Sequence, residues 1–480
     1  MNPFDPSDPS LLVPSRRQVL KTISSGFGYL AFSSLATMAA ADENKRMRQS
    51  SDEPQTVGGP LAPKAPHFAA RAKRVIFLCM RGGPSHVDTF DYKPKLAVDN
   101  GKRGKYGGTL LQSPWKFNQC GESGLWISEL FPELGKQADN LCLLRGMNTD
   151  QPIHPLAMTQ MHTGTAQFIR PSFGAWTLYG LGSENDSLPG FISMNPPAGS
   201  AQNYGSAFLP AIFQGTKIGA SVGRRAQRSA SSRSIVPDAR NPELNRVQQR
   251  QQLDFIQNLN QQKLEREQKH PGVEGVIESY ELAFRMQDAL PEAVDISQET
   301  AATKAMYGID QAPTNGFGRQ CLMARRLVES GVRFVEVTHG NWDHHANLET
   351  ALPERCSEID KPIAGLLQDL QARGMLEDTV VIWSGEFGRT PAAQNRNGRD
   401  HNNRGYTSWM AGAGVKGGFS YGATDEHGFE AVEGKCHIHD WHATILHLLG
   451  LDHKQLTYRY AGRDFRLTDV YGNVLKDILS

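Results

Sequence analysis

The sequence predicts an α/β fold: a central, mostly parallel sheet flanked by helices on both faces, with a helical polar insertion. Three observations carry this. Short continuous apolar runs, the mark of strands buried on both faces, begin at Arg74 and recur into the C-terminal third. Segments with apolar residues at i, i+3, i+4 and i+7 alternate with them, and strand–helix alternation is the pattern of a parallel sheet covered on both sides. The composition is that of an ordinary globular chain, with 480 residues, 39% hydrophobic, 21% charged, and 51 basic against 50 acidic side chains.

Taken in order, the first stretch reads as an address. Ser15-Arg16-Arg17-Gln18-Val19-Leu20-Lys21 precedes a mildly apolar run that ends at Ala39-Ala40-Ala41. Basic, apolar and small-residue parts in that order make an export signal, and the paired arginines resemble the twin-arginine consensus. Residues 1–41 are therefore expected to direct export to the periplasm or exterior. Residues 42–68, polar and proline-rich, are expected to be a disordered linker before one domain over 69–480. Arg74 to Met80 is the first buried strand, and it stops at Arg81-Gly82-Gly83-Pro84; Asn140 to Arg145 is a second. Residues 221–300 break the pattern. Gln, Arg, Asn and Glu dominate from Arg224 to His270, which predicts one or two solvated helices, either a cap over the site or an inert insertion.

The alternation then resumes. A helix with Cys321, Ala324 and Val328 on one face is capped by Gly331, and a strand follows from Gly331 to Val337. Ile363, Leu366, Leu367 and Leu370 mark a helix ended by Gly374, followed by a strand from Asp378 to Trp383. A last helix, N-capped by Asp440, carries Ile445, Leu446, Leu448 and Leu449 before Gly450. After the leader, no segment is long and apolar enough to span a bilayer.

Several function classes fall away. A net charge of +1 gives no reason to expect nucleic acid or an anionic membrane as partner. The six cysteines contain no C-x-x-C, which argues against a zinc ribbon or a thioredoxin motif. No G-x-S-x-G, phosphate-loop or dinucleotide fingerprint is present. The unusual number is 15 histidines.

In open parallel sheets, ligands bind beyond the carboxyl ends of the strands. Here each strand delivers metal-capable residues to that end. They are Ser85-His86-Val87-Asp88, the run Thr338 to His345 with His339, Asp343 and His344, the run Ser384 to Thr390 with Glu386, and Gly398-Arg399-Asp400-His401. Imidazole and carboxylate together suit a divalent metal, and such mixed sites support hydrolysis by activating water or orienting a nucleophile.

The strings GGPSHVDTFD, HGNWDHH, TVVIWSGEFGRTP, GRDHNN and DWHATILHLLG, in that order, resemble the alkaline phosphatase superfamily, with its sulfatases and cofactor-independent phosphoglycerate mutases. They are most similar to an exported sulfatase-like family, the domain of unknown function 1501, over roughly residues 70–475. The resemblance implies one divalent ion, of zinc, manganese or calcium, held by Asp343, His345 (or His344) and His401. A second ion is in question. Met80-Arg81 stand where the family pattern has an Asp, Glu386-Phe387 replace its Asp-His pair, and His86 or Asp88 remain as substitutes. Its nucleophile position, nine residues before Thr163-Gly164, holds His154 rather than Cys or Ser. For His154 this leaves a nucleophile, a general acid, a metal ligand, or a helix start beside Pro155. Arg81, Arg145 and Arg170 are candidates for holding an oxyanion through paired hydrogen bonds.

Three functions follow as expectations. The first is an exported metal-dependent hydrolase of phosphate or sulfate esters, using Arg81 and His154 beside the metal. The second is a non-catalytic member of the fold that binds a sulfated or anionic glycan, or a protein. The third is a mutase or transferase working through phosphohistidine at His154. His442, His447 and His453, on or after the last helix, are expected to be structural.

Overall fold

Nine strands share one sheet: β1 Arg74–Met80, β2 Leu141–Asn148, β3 Phe191–Met194, β4 Thr216–Ile218, β5 Phe334–His339, β6 Thr379–Ser384, β7 Tyr406–Ala411, β8 Phe419–Tyr421 and β9 Cys436–His437. Their order is β8-β2-β7-β6-β1-β5-β3-β4, with β9 paired to the end of β2. Only β7 runs antiparallel to its neighbours, β2 and β6, so the sheet is mostly parallel as expected. The computed structural model describes residues 59–219, 243–267 and 271–480. The export signal over 1–41 and the linker as far as residue 58 lie outside the described residues, as do 220–242 and 268–270 of the insertion.

Alternation along β1 explains the two-sided core. Ile76, Leu78 and Met80 pack on one side, against α5 (Asn315–Glu329) and α6 (Leu348–Ala372). Val75, Phe77 and Cys79 pack on the other, with α1 (His154–Thr163), α2 (Phe173–Leu181) and α7 (Ile438–Leu448). Each large apolar side chain so buried contributes about 1.5–3 kcal/mol. The strands therefore need apolar residues on both faces, which is why they read as unbroken runs.

Boundaries differ from the sequence reading most in three places, while β2 runs on three residues past Arg145 to Asn148. β5 begins at Phe334, because Gly331 at φ 91° closes α5 and Val332 still donates its amide to Leu327 O. α6 is far longer than the periodic stretch around Ile363. It starts at Leu348 and contains Pro353 and Pro362, and burial of Leu352, Cys356 and Ile359 outweighs the amides those prolines lack. Asp440 is not the N-cap of the last helix. His437 is, with Asp440 three residues on, its carboxylate accepting from the His437 amide at 2.9 Å.

The polar insertion contains two described helices, α3 (Arg246–Glu267) and α4 (Pro271–Val294). α4 is not merely solvated: Met286, Leu290, Ala293 and Val294 join the core that α5 and α6 share, while α3 lies over it, Arg250 clamping Glu281 at 2.8 and 2.9 Å. Arg285 of α4 donates to Asp186 O, and Ala293 O accepts from Arg326. Both partners precede strands β3 and β5, so these contacts sit at the amino ends of the strands, opposite the ligand side. Residues 59–68, counted with the linker in the sequence reading, lie along the body, Lys64 donating its amide to Leu181 O and Phe68 to Gly450 O.

Candidate metal centre

The parallel strands β1, β2, β5 and β6 all end on one side of the sheet, and their loops meet there. Beyond β5, Asn341 at φ 69° turns the chain so that Asp343 and His345 face the same space. Past β6 the chain forms a hairpin, Gly388–Gln394 against Gly398–Asn402, whose second strand brings up His401 opposite Arg389. Past β2, Pro152 and Ile153 lead into α1, whose first residue is His154; Pro155 beside it fits the first turn, where no amide partner is needed.

One donor atom from each of His154, Asp343, His345 and His401 lies within 4.8 Å of all the others. Asp343 Oδ1 is 2.9 Å from His345 Nε2, 3.1 Å from His154 Nε2 and 3.5 Å from His401 Nε2, and the His345 and His401 Nε2 atoms are 2.9 Å apart. Each ring is held from behind through Nδ1. His154 donates to Glu386 Oε1 at 2.6 Å, His401 to Pro152 O at 2.7 Å, and His345 to Gln394 Oε1. A neutral imidazole that donates from Nδ1 presents a bare lone pair at Nε2. Three such lone pairs and a carboxylate oxygen therefore converge, and the Nε2 of His154, buried, makes no hydrogen bond of its own. Such a convergence is the ligand geometry of a cation site, and the outer hydrogen bonds are those that orient metal-bound histidines. Three imidazoles and one carboxylate suit zinc, manganese or iron, and fit poorly to calcium, which prefers six or more oxygens.

The electrostatics agree. Burial pushes the Asp343 carboxyl up, but the hydrogen bond and charge of Arg389 and the neighbouring His154 outweigh it and hold it well below the usual carboxylate range. For His154, burial disfavours the cation, yet Glu386 and Asp343 more than offset that and raise its proton affinity. The same negative field attracts a metal. Burial and then Arg389 lower His401, which keeps that ring neutral, the form a ligand needs.

The structure sorts the predicted residues. Asp343, His345 and His401 come together, and His154 joins them as a fourth ligand candidate. Of the neighbouring histidines, His345 takes the place; His344 is buried and pushed down to about 4, by burial first and then Arg389 and Arg355. Glu386 stands outside the four. Its carboxylate is wholly buried, accepts the Gly82 amide at 3.0 and 3.1 Å, and holds His154. His86 is also not in the centre: its Nε2 bonds Gly428 O at 2.9 Å and burial lowers its proton affinity. Asp88 is spent on a buried two-point bond with Arg399, at 2.6 and 3.0 Å, and accepts from Ser85. Both side chains lie inside because the loop after β1 folds into a short helical turn, His86–Thr89, under the hairpin.

Among the three arginines, Arg145 lies 3.8 Å from Asp91 and Arg170 is packed over Phe465. Arg81 is exposed, beside Gly340, where a Cβ would come within 3.0 Å of its Nη2, and it has no ion-pair partner among the described residues. Two residues carry more than sequence reasoning gave them. Arg389, fully buried, bonds Asp343 and the carbonyls of Gly82, Gly83 and Arg399, tying three loops together. Phe387 packs at a tilt against His154 and His401, with ring centres 4.7 and 4.6 Å apart. Their place in the string around Glu386 was the one available signal. A cleft of about 350 Å³ opens beside His401, bordered by Tyr106, Thr390, Gln394, Asp400 and Arg404.

A family model described as Protein of unknown function (DUF1501) matches residues 72–479, and the chain belongs to that family. No curated protein matches the sequence. Among solved structures, the chain is similar to a phosphonate monoester hydrolase from Silicibacter pomeroyi, with 10% identity, 85% of this chain and 76% of that one covered, and a TM-score of 0.37. It is also similar to the PsFucS1 sulfatase from Pseudoalteromonas sp., with 12% identity, 88% and 72% covered, and a TM-score of 0.33. TAB5 alkaline phosphatase follows, with 11% identity, 74% and 94% covered, and a TM-score of 0.31. Likenesses that loose carry no functional argument.

Proposed function

We propose that this DUF1501 protein is an exported, metal-dependent hydrolase of phosphate or sulfate esters. The observation that carries the reading is the meeting of three Nε2 lone pairs and the Asp343 carboxylate, each fixed from behind. His154, Asp343, His345 and His401 would hold one ion, with zinc first by ligand type. When bound, a divalent ion there supplies Lewis acidity toward an ester oxygen. The chain's own groups do the rest. Arg81, exposed and without an ion-pair partner among the described residues, would bind the non-bridging oxygens of the anion through its fork of donors. Phe387 shields one side of the ligand rings from water. With both nitrogens of His154 directed at acidic groups, the ring serves as a ligand rather than as a covalent nucleophile, and water is the attacking group. No helix among the described residues is long and apolar enough to cross a membrane. Export itself rests on the Arg16-Arg17 leader.

The test is metal analysis of the purified chain coupled to assays on aryl phosphate and aryl sulfate. The expected result is close to one ion per chain at this centre, lost together with turnover in His401→Ala. A protein that takes up no ion here, even on soaking, overturns the proposal. A second reading, a non-catalytic glycan-binding member, is favoured by the lack of any hydroxyl or thiol among the four converging side chains. Binding of a sulfated oligosaccharide that survives both His401→Ala and chelation, with no turnover, would select it.

A further inference from the structure

We infer that Cys79, His162 and Glu336 form a second, enclosed metal site of the zinc type within the core. It is separate from the Asp343 centre and does not rest on the hydrolase reading. The sheet builds it. Cys79 of β1 is paired in register with Thr338 of β5, so Cys79, Thr338 and Glu336 project from the same face. The last turn of α1 lays His162 on that face, and one donor atom from each of the three residues lies within 4.8 Å of the other two. All three are closed to solvent, at 0%, 3% and 1% exposure.

One feature points to a missing cation. His162 donates from Nδ1 to Met158 O at 2.8 Å, and its Nε2 lies at hydrogen-bond distance, 3.2 Å, from Glu336 Oε1, so nitrogen and carboxylate face each other. The other oxygen, Glu336 Oε2, is buried with no hydrogen-bond partner, a costly state for a carboxylate. Thr338 donates to Oε1 at 3.2 Å and so occupies one position of that oxygen alone. Sulfur, imidazole nitrogen and carboxylate oxygen are together the zinc ligand set, and three protein ligands leave one position for a fourth. On binding, the Cys79 thiol gives up its proton to solvent. A dication with one thiolate, one carboxylate and one neutral imidazole is then electrically neutral, which suits a low-dielectric interior.

The site would also act on the centre above it. His154 and His162 lie eight residues apart on α1, about 12 Å along its axis. A metal at His162 pins the far end of the helix to β1 and β5, and the loop after β5 supplies Asp343 and His345. The rival occupant is a water, since Ser193 Oγ, opposite Glu336 in register, is also buried and unpartnered.

The full chain, produced in metal-limited medium supplemented with cobalt(II), separates these. The site predicts a thiolate-to-cobalt charge-transfer band in the near ultraviolet. The band should be present in the wild type and in His401→Ala, and absent in Cys79→Ser, with metal content one ion per chain lower in Cys79→Ser than in the wild type. Because the Asp343 centre contains no sulfur, its failure leaves the band untouched. Absence of the band from the wild type, a reading that needs no variant to fold, overturns the inference, as does its persistence in Cys79→Ser.

Discussion

Glu386 shows how a single side chain acts on the centre through its neighbour. Its residue type and its place after a parallel strand invite reading it as a ligand, yet both of its oxygens are taken from within, by the Gly82 amide and His154 Nδ1. Its work is to fix the ring of His154 and to make Nε2 the more basic end. Glu386→Gln keeps an acceptor for Gly82 but removes the charge behind the ring. It is expected to weaken metal binding about 10–100-fold, the usual cost of losing such an outer partner, while His401→Ala abolishes it. Metal titration of the two variants side by side checks the order. His86 and Asp88 teach the converse. Both were legible as metal-capable residue types, but Asp88 answers the Arg399 guanidinium inside the protein, and no local pattern says which carboxylate will be matched that way.

At the scale of elements, the site depends on where loops and helix ends are set down. α7 illustrates the local chemistry. The apolar stripe was plain in the sequence, and Asp440 was rightly a capping residue, though from within the first turn rather than before it. It accepts the His437 amide at 2.9 Å and the Asn473 amide at 2.7 Å, so it also anchors the C-terminal segment. Asp440→Ala is expected to cost about 0.5–2 kcal/mol, the range for losing a helix cap, read as a lower urea midpoint with metal content unchanged. α1 is the opposite case. Its hydrophobic pattern is faint and its importance lies in its two histidines, which only its docking against β1 and β5 turns toward anything. α4 was masked for a different reason: its apolar stripe follows directly on the long polar run of α3, and the run dominated that window.

For the whole molecule, the histidines divide by what surrounds them, and pH should expose the division. His442 is fully buried beside Met161 O and pushed down to about 3, by burial first and then by His439; burial, then His437, pushes His439 down to about 4. Both stay neutral in the folded chain, whereas in the unfolded chain they take a proton below about 6.5. Their contribution is therefore complete above that pH and is lost as pH falls from about 6.5 toward their folded values. Each steepens the fall by up to about 1.4 kcal/mol per pH unit. His442→Gln should flatten the decline in urea midpoint between pH 6.5 and 4, and an unchanged slope would show that this ring does not control it. Residue pattern alone predicts the strands and most helices, from backbone periodicity, and gathers metal-capable residues by the rule that parallel strands deliver their loops to one edge; the family resemblance singled out Asp343, His345 (or His344) and His401 among them. Only the tertiary structure decides that His154 completes the set, that Glu386 stands behind it, that His86 and Asp88 turn inward, and that Cys79, His162 and Glu336 meet in the core. The physical reason is that a polar side chain's role is set by the partner it finds across the fold, and that partner lies hundreds of residues away, as His154 and Glu386 do at a separation of 232.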